Sequence, residues 1–289
     1  MGVYTTTNLL DSIYRRAFLP SNQTTFTNTE LLSIADEETK TLLLPLIMSV
    51  REEFFVTYDD FSITANQSAY SIPHRSIGMK VREVQIVDGS NNVTDLPRMQ
   101  PENIKSYNSG NPEAFYLKNN QVCLYPSPAA TSGTLRVYYF IRPGEFIATS
   151  SAAVVSSING NIVTVSTIPS TWVTGNTFDL ISKDSGHPYR DYDLTSTLVS
   201  GNDITLPSTP SDLAVGDYIT LQGYSPLVQL PPEFQSILAQ AVAVQCLESM
   251  SQPGADKAAQ KLKLMLDTAQ KLLTNRVEGE PSVIQHHWF

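Results

Sequence analysis

Residues 158–180, INGNIVTVSTIPSTWVTGNTFDL, and residues 199–221, VSGNDITLPSTPSDLAVGDYITL, align without a gap at an offset of 41 positions. Gly160 meets Gly201, Asn161 meets Asn202, Thr164 meets Thr205, Pro169 meets Pro210, Ser170 meets Ser211, Gly175 meets Gly216 and Leu180 meets Leu221. Between the identities the character is kept, with Val163 against Ile204, Val165 against Leu206, Trp172 against Leu213 and Phe178 against Ile219. Each copy reads as turn, strand, Pro-Ser loop and a second strand introduced by glycine. Neither copy can bury its apolar face alone, so the two are expected to close into one small all-β barrel or sandwich.

The flanking chain has a different period. Thr27-Asn28-Thr29-Glu30 has the form of a capping box, and Leu31, Ile34, Ala35, Leu42, Leu46, Val50 and Phe54 continue it as helix, so Thr24 to Phe55 is expected to be helical with a kink or break at Pro45. Strand character follows at Phe55, Tyr58, Phe61 and Ile63, with Ala65-Asn66-Gln67-Ser68 as a turn back to Tyr70-Ser71-Ile72-Pro73. Ile77 to Val87 alternates with one change of face, which predicts a bulged strand. Asn119-Asn120 between Ala114–Lys118 and Gln121–Tyr125 is a two-residue hairpin signal, and Thr134 to Arg142 reads as a long strand. Helix returns at Leu230-Pro231-Pro232-Glu233 with the stripe Phe234, Ile237, Leu238, Ala241, Val242, Cys246 and Met250. After Pro253-Gly254 a second helix is expected to turn Ala258, Leu262, Met265, Leu266, Ala269, Leu272 and Leu273 inward and Lys257, Gln260, Lys261 and Lys271 outward.

The expected fold class is therefore α+β: N- and C-terminal helices packed as a bundle with an antiparallel β meander, plus the inserted two-repeat β unit. Four segments follow: an N-terminal helical and meander core (residues 1–147), the duplicated β insertion (148–226), closing helices (227–276) and an extended C-terminal docking tail (277–289).

Composition narrows the function. Nineteen Lys and Arg against 28 Asp and Glu leave a net charge of −9 over 289 residues, and only 16% of residues are charged. Without a basic stripe the chain lacks the electrostatic term that dominates nucleic-acid binding, which disfavours sequence-directed DNA recognition. Cys123 and Cys246 are far apart with no metal-ligand spacing, so they are expected to be buried thiols, and the chain to be a soluble protein needing no disulfides. No stretch approaches the ~20 apolar residues of a membrane span, and no secretory signal opens the chain.

Reactive constellations are scarce. Asp184, His187, Asp191 and Asp193 lie within ten residues and contain the donor types of a cation site, but loop chemistry explains them more simply. No nucleophile elbow, phosphate loop or zinc-protease helix is present, which points away from an enzyme and away from any cofactor or metal. Tyr116, Tyr125, Tyr138, Tyr139 and Phe140 sit on expected strands with only Arg136 and Arg142 nearby, so packing across the sheet is expected rather than a base-stacking platform. The segment 277–289 stands apart. It carries Val283, Ile284, Trp288 and Phe289 beyond the last helix, with His286 and His287 between them, and its aromatics favour insertion into a partner over a solvated tail.

The order of Thr29-Glu30-Leu31-Leu32, Tyr70-Ser71-Ile72-Pro73, Gly110-Asn111-Pro112, Ala114-Phe115-Tyr116-Leu117, Leu124-Tyr125-Pro126-Ser127-Pro128, Thr134-Leu135-Arg136-Val137-Tyr138-Tyr139, Arg142-Pro143 and Leu230-Pro231-Pro232-Glu233-Phe234 resembles the head-to-tail adaptor, or neck and head-completion, proteins of tailed bacteriophages. The resemblance covers Thr24 to Pro143 and Val228 to Arg276. It implies a virion structural protein of the neck, assembled in the host cytoplasm as a ring, commonly of twelve copies, between the portal and the tail or nozzle proteins. The C-terminal residues Val283, Ile284, His286, His287, Trp288 and Phe289 would then dock on the portal, with genomic DNA passing through the lumen unbound. The β insertion would meet tail proteins or fibres. Two other readings use different residues: a glycan- or receptor-binding module relying on Trp172, Tyr189 and Tyr192, and an envelope hydrolase relying on Asp191 and Asp193.

Overall fold

The computed structural model describes residues 2–20, 23–104 and 109–273. It is mixed α and β, with several antiparallel sheets and few helices, and its contacts divide into two units, residues 1–51 with 143–289 and residues 52–142.

The first unit begins with α1 (Thr6–Arg16), a helix that sequence periodicity does not anticipate. Its signal is local: Thr5 and Asn8 form a reciprocal capping box, and Leu9, Leu10 and Ile13 fall on one buried face. The long helix expected from Thr24 to Phe55 is divided. Thr27 and Glu30 cap α2 (Asn28–Glu38) as their spacing predicts, a π turn follows over Thr39–Leu43, and α3 (Leu44–Val50) continues to a single 3-10 turn at Glu52–Phe55. Proline at 45 has no N–H to donate and crowds the carbonyl four residues back, so the chain widens into the π turn just ahead of it.

The described residues of the second unit form strands and two short 3-10 turns. A four-stranded antiparallel sheet has the order β1 (Val56–Ser62), β9 (Thr134–Ile141), β3 (Ser76–Val87), β4 (Val93–Asp95). A three-stranded sheet joins β2 (Ala69–Ser71), β7 (Gln121–Tyr125) and β6 (Ala114–Lys118), and two-residue strands β5 (Ser109–Gly110) and β8 (Ser127–Pro128) pair in parallel. Leu135 and Val137 of β9, Val84 of β3, Tyr70 of β2 and Phe115, Val122 and Leu124 of the β6–β7 hairpin share one core. That hairpin turns through Asn119 and Asn120, both with positive φ, which is the geometry asparagine tolerates best after glycine. The expected bulge in β3 is present: register breaks between Ser76 and Val81 and again before Glu83, around Gly78 and Met79 with φ of 59° and 54°. The turn at Ala65–Ser68 does not close a hairpin, because β2 pairs with β7 rather than with β1. Of the aromatic residues expected to pack, Tyr139 and Phe140 are buried, whereas Tyr138 is half-buried against Tyr58.

Back in the first unit, β10 (Glu145–Phe146) pairs in parallel with β18 (Tyr224–Ser225). Between them a seven-stranded sheet has the order β14-β13-β17-β11-β12-β16-β15. Its members are β11 (Ala153–Asn159), β12 (Ile162–Val165), β13 (Thr177–Ile181), β14 (Tyr189–Thr195), β15 (Leu198–Ser200), β16 (Asp203–Thr205) and β17 (Tyr218–Leu221). Val155, Val163, Val165, Phe178, Leu180, Ile204, Leu206 and Ile219 fill its core. The chain closes with α4 (Pro232–Ser249) and α5 (Ala255–Leu273). Helix α4 packs against α1, α2 and α5 and is buried without interruption from Ile237 to Val244. One inward assignment on α5 is corrected: Ala269 and Leu273 are buried, but Leu272 faces solvent. It lies one position round the helix from Leu273.

Candidate functional site

The acidic loop residues are spent on structure. Arg190, at the start of β14, bridges three carboxylates: its guanidinium pairs with Asp184, with Asp212 at 3.0 Å and with the fully buried Asp217 at 3.1 Å. Asp217 also accepts the backbone N–H groups of Lys183 and Ala214, so the buried charge is neutralised and hydrogen-bonded. The Ser182 hydroxyl and Arg190 together hold the Asp184 carboxyl below the usual range. The His187 ring is buried. Its Nε2 accepts the Tyr4 N–H at 3.3 Å, which leaves the proton on Nδ1 to be donated to the Ser182 carbonyl at 3.2 Å. Burial lowers its pKa, keeping it neutral. Asp191 accepts the N–H of Tyr192, and Asp193 accepts from Gln222 at 2.7 Å. Among the described residues no group of three or more His, Cys, Asp or Glu is arranged to hold a metal ion. These four residues form a scaffold that ties the loop to the sheet and to the N-terminal segment.

Nor do the aromatic candidates for glycan stacking form a platform. Trp172 is buried against Phe178, ring centroids 4.9 Å apart, inside the core of the seven-stranded sheet. Tyr189 and Tyr192 meet edge to face at 5.9 Å, each half-buried. In the second unit, Arg136 is held bidentate by Asp60, both contacts 2.8 Å, and lies over the Tyr58 ring at 4.1 Å, so its charge serves a cross-strand cluster. Both cysteines are buried thiols, and desolvation pushes Cys246 up to about 11. An open polar cleft of about 300 Å³ lies between Asn8, Asp11 and Ser12 of α1 and Gln235 and Ser236 of α4, with no convergent reactive pair in it.

What the molecule presents instead is unpartnered apolar surface. Phe18 is 86% exposed just past α1, and Leu264 and Leu272 are 67% and 70% exposed on α5. The proposed docking residues Val283, Ile284, His286, His287, Trp288 and Phe289 lie outside the described residues. Sequence periodicity missed Phe18, Leu264 and Leu272 because an apolar residue reads as core until its helix has a known inner side.

Residues 33–175 match the family model of the SU10 adaptor protein, so the chain is similar to the phage head-tail adaptors over that stretch. The match begins within α2, takes in the whole second unit and ends in the loop before β13. The matched family is one of phage structural adaptors. No curated protein matches the chain. No described helix is long and apolar enough to cross a membrane.

Proposed function

We propose that the protein is a ring-forming connector in the phage neck, joining the portal above to tail or nozzle proteins below around the channel through which DNA passes. The adaptor-family match over residues 33–175 carries this reading. Exposed Phe18, Leu264 and Leu272 support it, since apolar side chains left in water by one chain are natural contacts for the next. The net charge of −9 suits a channel wall that must not grip phosphates. In this reading residues 277–289 dock on the portal through Val283, Ile284, Trp288 and Phe289, flanked by His286 and His287. The subunit folds in the host cytoplasm and joins the head after filling. Deleting residues 277–289 is expected to abolish portal attachment while leaving thermal unfolding unchanged. Normal portal binding by the truncated chain would remove the docking role. Negative-stain images of the full chain with portal should show a ring, and a monomer under every condition would defeat the connector itself.

The β region 148–226 is read as a duplicated barrel inserted in the adaptor core, turned toward tail proteins or fibres. Its hydrogen bonds support duplication. Val165 N–H donates to Asn202 O and Leu206 N–H to Asn161 O, both at 2.9 Å, and each bond maps onto the other when the copies exchange. Ile158 pairs with Val163 as Val199 pairs with Ile204, while β12 pairs with β16 and β13 with β17. The edge strands β14 and β15 are separated by only Ser196 and Thr197, which supports closure of the sheet on itself.

A further inference from the structure

The outer face of α5 has a composition unlike the rest of the protein. The helix carries four lysines against two aspartates in a chain whose net charge is −9. On its solvent side lie Lys257, Lys261, Leu264, Thr268, Lys271 and Leu272, so two exposed leucines are framed by ammonium groups. Nucleic acid would neutralise those lysines but leave the leucines hydrated. A partner that satisfies both has an apolar centre and an acidic margin.

The same chain displays such a surface elsewhere. Helix α2 carries Glu30, Asp36, Glu37 and Glu38 and no basic residue, and the one lysine of the π turn that continues it, Lys40, is paired with Glu145 at 2.8 Å. Its solvent side, continued through the π turn, shows Glu30, Ser33, Glu37 and Thr41, with half-buried Ile34 and Leu42 between them. Ile34 and Leu42 are separated by the same number of positions as Leu264 and Leu272, roughly 12 Å along a helix, and the helical run Asn28–Val50 is as long as α5 or longer. The polar residues of the α2 face and the leucines of the α5 face are exposed in the single chain, Ile34 and Leu42 are partly so, and the two faces differ in composition. A contact between them is therefore one between copies, head to tail, of the kind that propagates around an axis.

We propose that the Leu264–Leu272 face of α5 seats on the Glu30–Leu42 face of α2 in a second copy of this chain. The proposal rests on the ring reading and names the surfaces that close it. Glu37 and Lys261, one from each face, can be replaced together as Glu37→Cys with Lys261→Cys, since Cys123 and Cys246 are buried. Mild oxidation of this full-length variant, concentrated alone and assembled with portal, is expected to give a ladder of covalent multimers. Cross-links that stop at a dimer or form within one chain would overturn the pairing, as would rings without cross-links. In parallel, Leu264→Ser with Leu272→Ser should raise the concentration needed for assembly at least tenfold without altering the thermal transition. Unchanged assembly also overturns it. A charge exchange, Lys261→Glu with Glu37→Lys, should restore assembly lost in Lys261→Glu alone, and failure of that rescue counts against the pairing. If wild-type chain gives no ring with portal, the ring reading falls and this contact with it. Rings that ignore every variant sink the contact and leave the ring standing.

Discussion

Phe18 occupies the position past the end of α1 where a glycine is the usual choice. Its φ is +53°, and the Leu19 N–H donates to the Tyr14 carbonyl at 3.0 Å, which is the bond that makes this backbone turn left-handed. A phenylalanine there is both strained and hydrated. Phe18→Gly is expected to raise stability by about 0.5–1 kcal/mol, read as a higher urea midpoint, because relief of the left-handed conformation outweighs the added chain entropy. Two ionisable groups, Asp36 partly buried and His187 buried, give pH dependences of opposite sign. Asp36 accepts the Phe146 N–H through both carboxylate oxygens, at 3.0 and 3.1 Å, yet burial lifts its pKa to about 6. The folded state thus keeps this proton after the unfolded state has released it, and stability falls as pH rises from about 4 to about 6. Asp36→Asn should remove that slope from a series of urea melts. His187 is depressed by burial, so the unfolded chain protonates first and stability falls as pH drops below the ordinary 6.5. His187→Gln retains a donor and an acceptor and should flatten that acid limb alone. The sequence showed His187 and its carboxylate neighbours as donors of cation-site type. It could not show that backbone N–H groups and one arginine had already engaged them.

At the scale of elements, local chemistry was the more reliable guide. The Thr27–Glu30 box, the Asn119-Asn120 turn and the Pro253-Gly254 break each act within a few residues, and each lies where its spacing predicts. Pairing across distance was less legible. Residues 69–71 looked like the return strand for β1, but their partner is β7, some fifty residues on, because burying Tyr70 against Phe61 and the hairpin core outweighs closing the shorter loop. Helix α4 shows the same limit. It is apolar nearly all round, and its one buried amide ties three helices together. Gln240 accepts from the Arg16 guanidinium at 2.8 Å and donates to the Ala258 carbonyl at 3.2 Å, linking α1 and α5 through α4. Gln240→Leu is expected to cost roughly 1 kcal/mol in thermal or urea unfolding, since the Arg16 guanidinium and the Ala258 carbonyl each lose a part-buried hydrogen bond.

For the whole molecule, the division into two units carries a prediction of its own. Residues 52–142 contain a complete core between their two sheets, and the strands at their ends are paired, Val56 opposite Phe140. A fragment of those residues is expected to fold cooperatively, with a single thermal transition and native-like strand signal by circular dichroism. A fragment lacking a cooperative transition would show that its sheets need the rest of the chain. What the sequence determined was everything set by short-range patterning: the caps and turns, the alternation of β3 and β9, the 41-residue recurrence in the β region, and a charge balance that argues against DNA binding. Those features depend on covalent spacing and on preferences expressed within a few residues. Tertiary structure alone decided which apolar side chains face water and which carboxylates are already paired. Leu272 and Leu273 are neighbours in the chain with the same side chain, and only the packing of α5 against the other helices buries one and leaves the other in water.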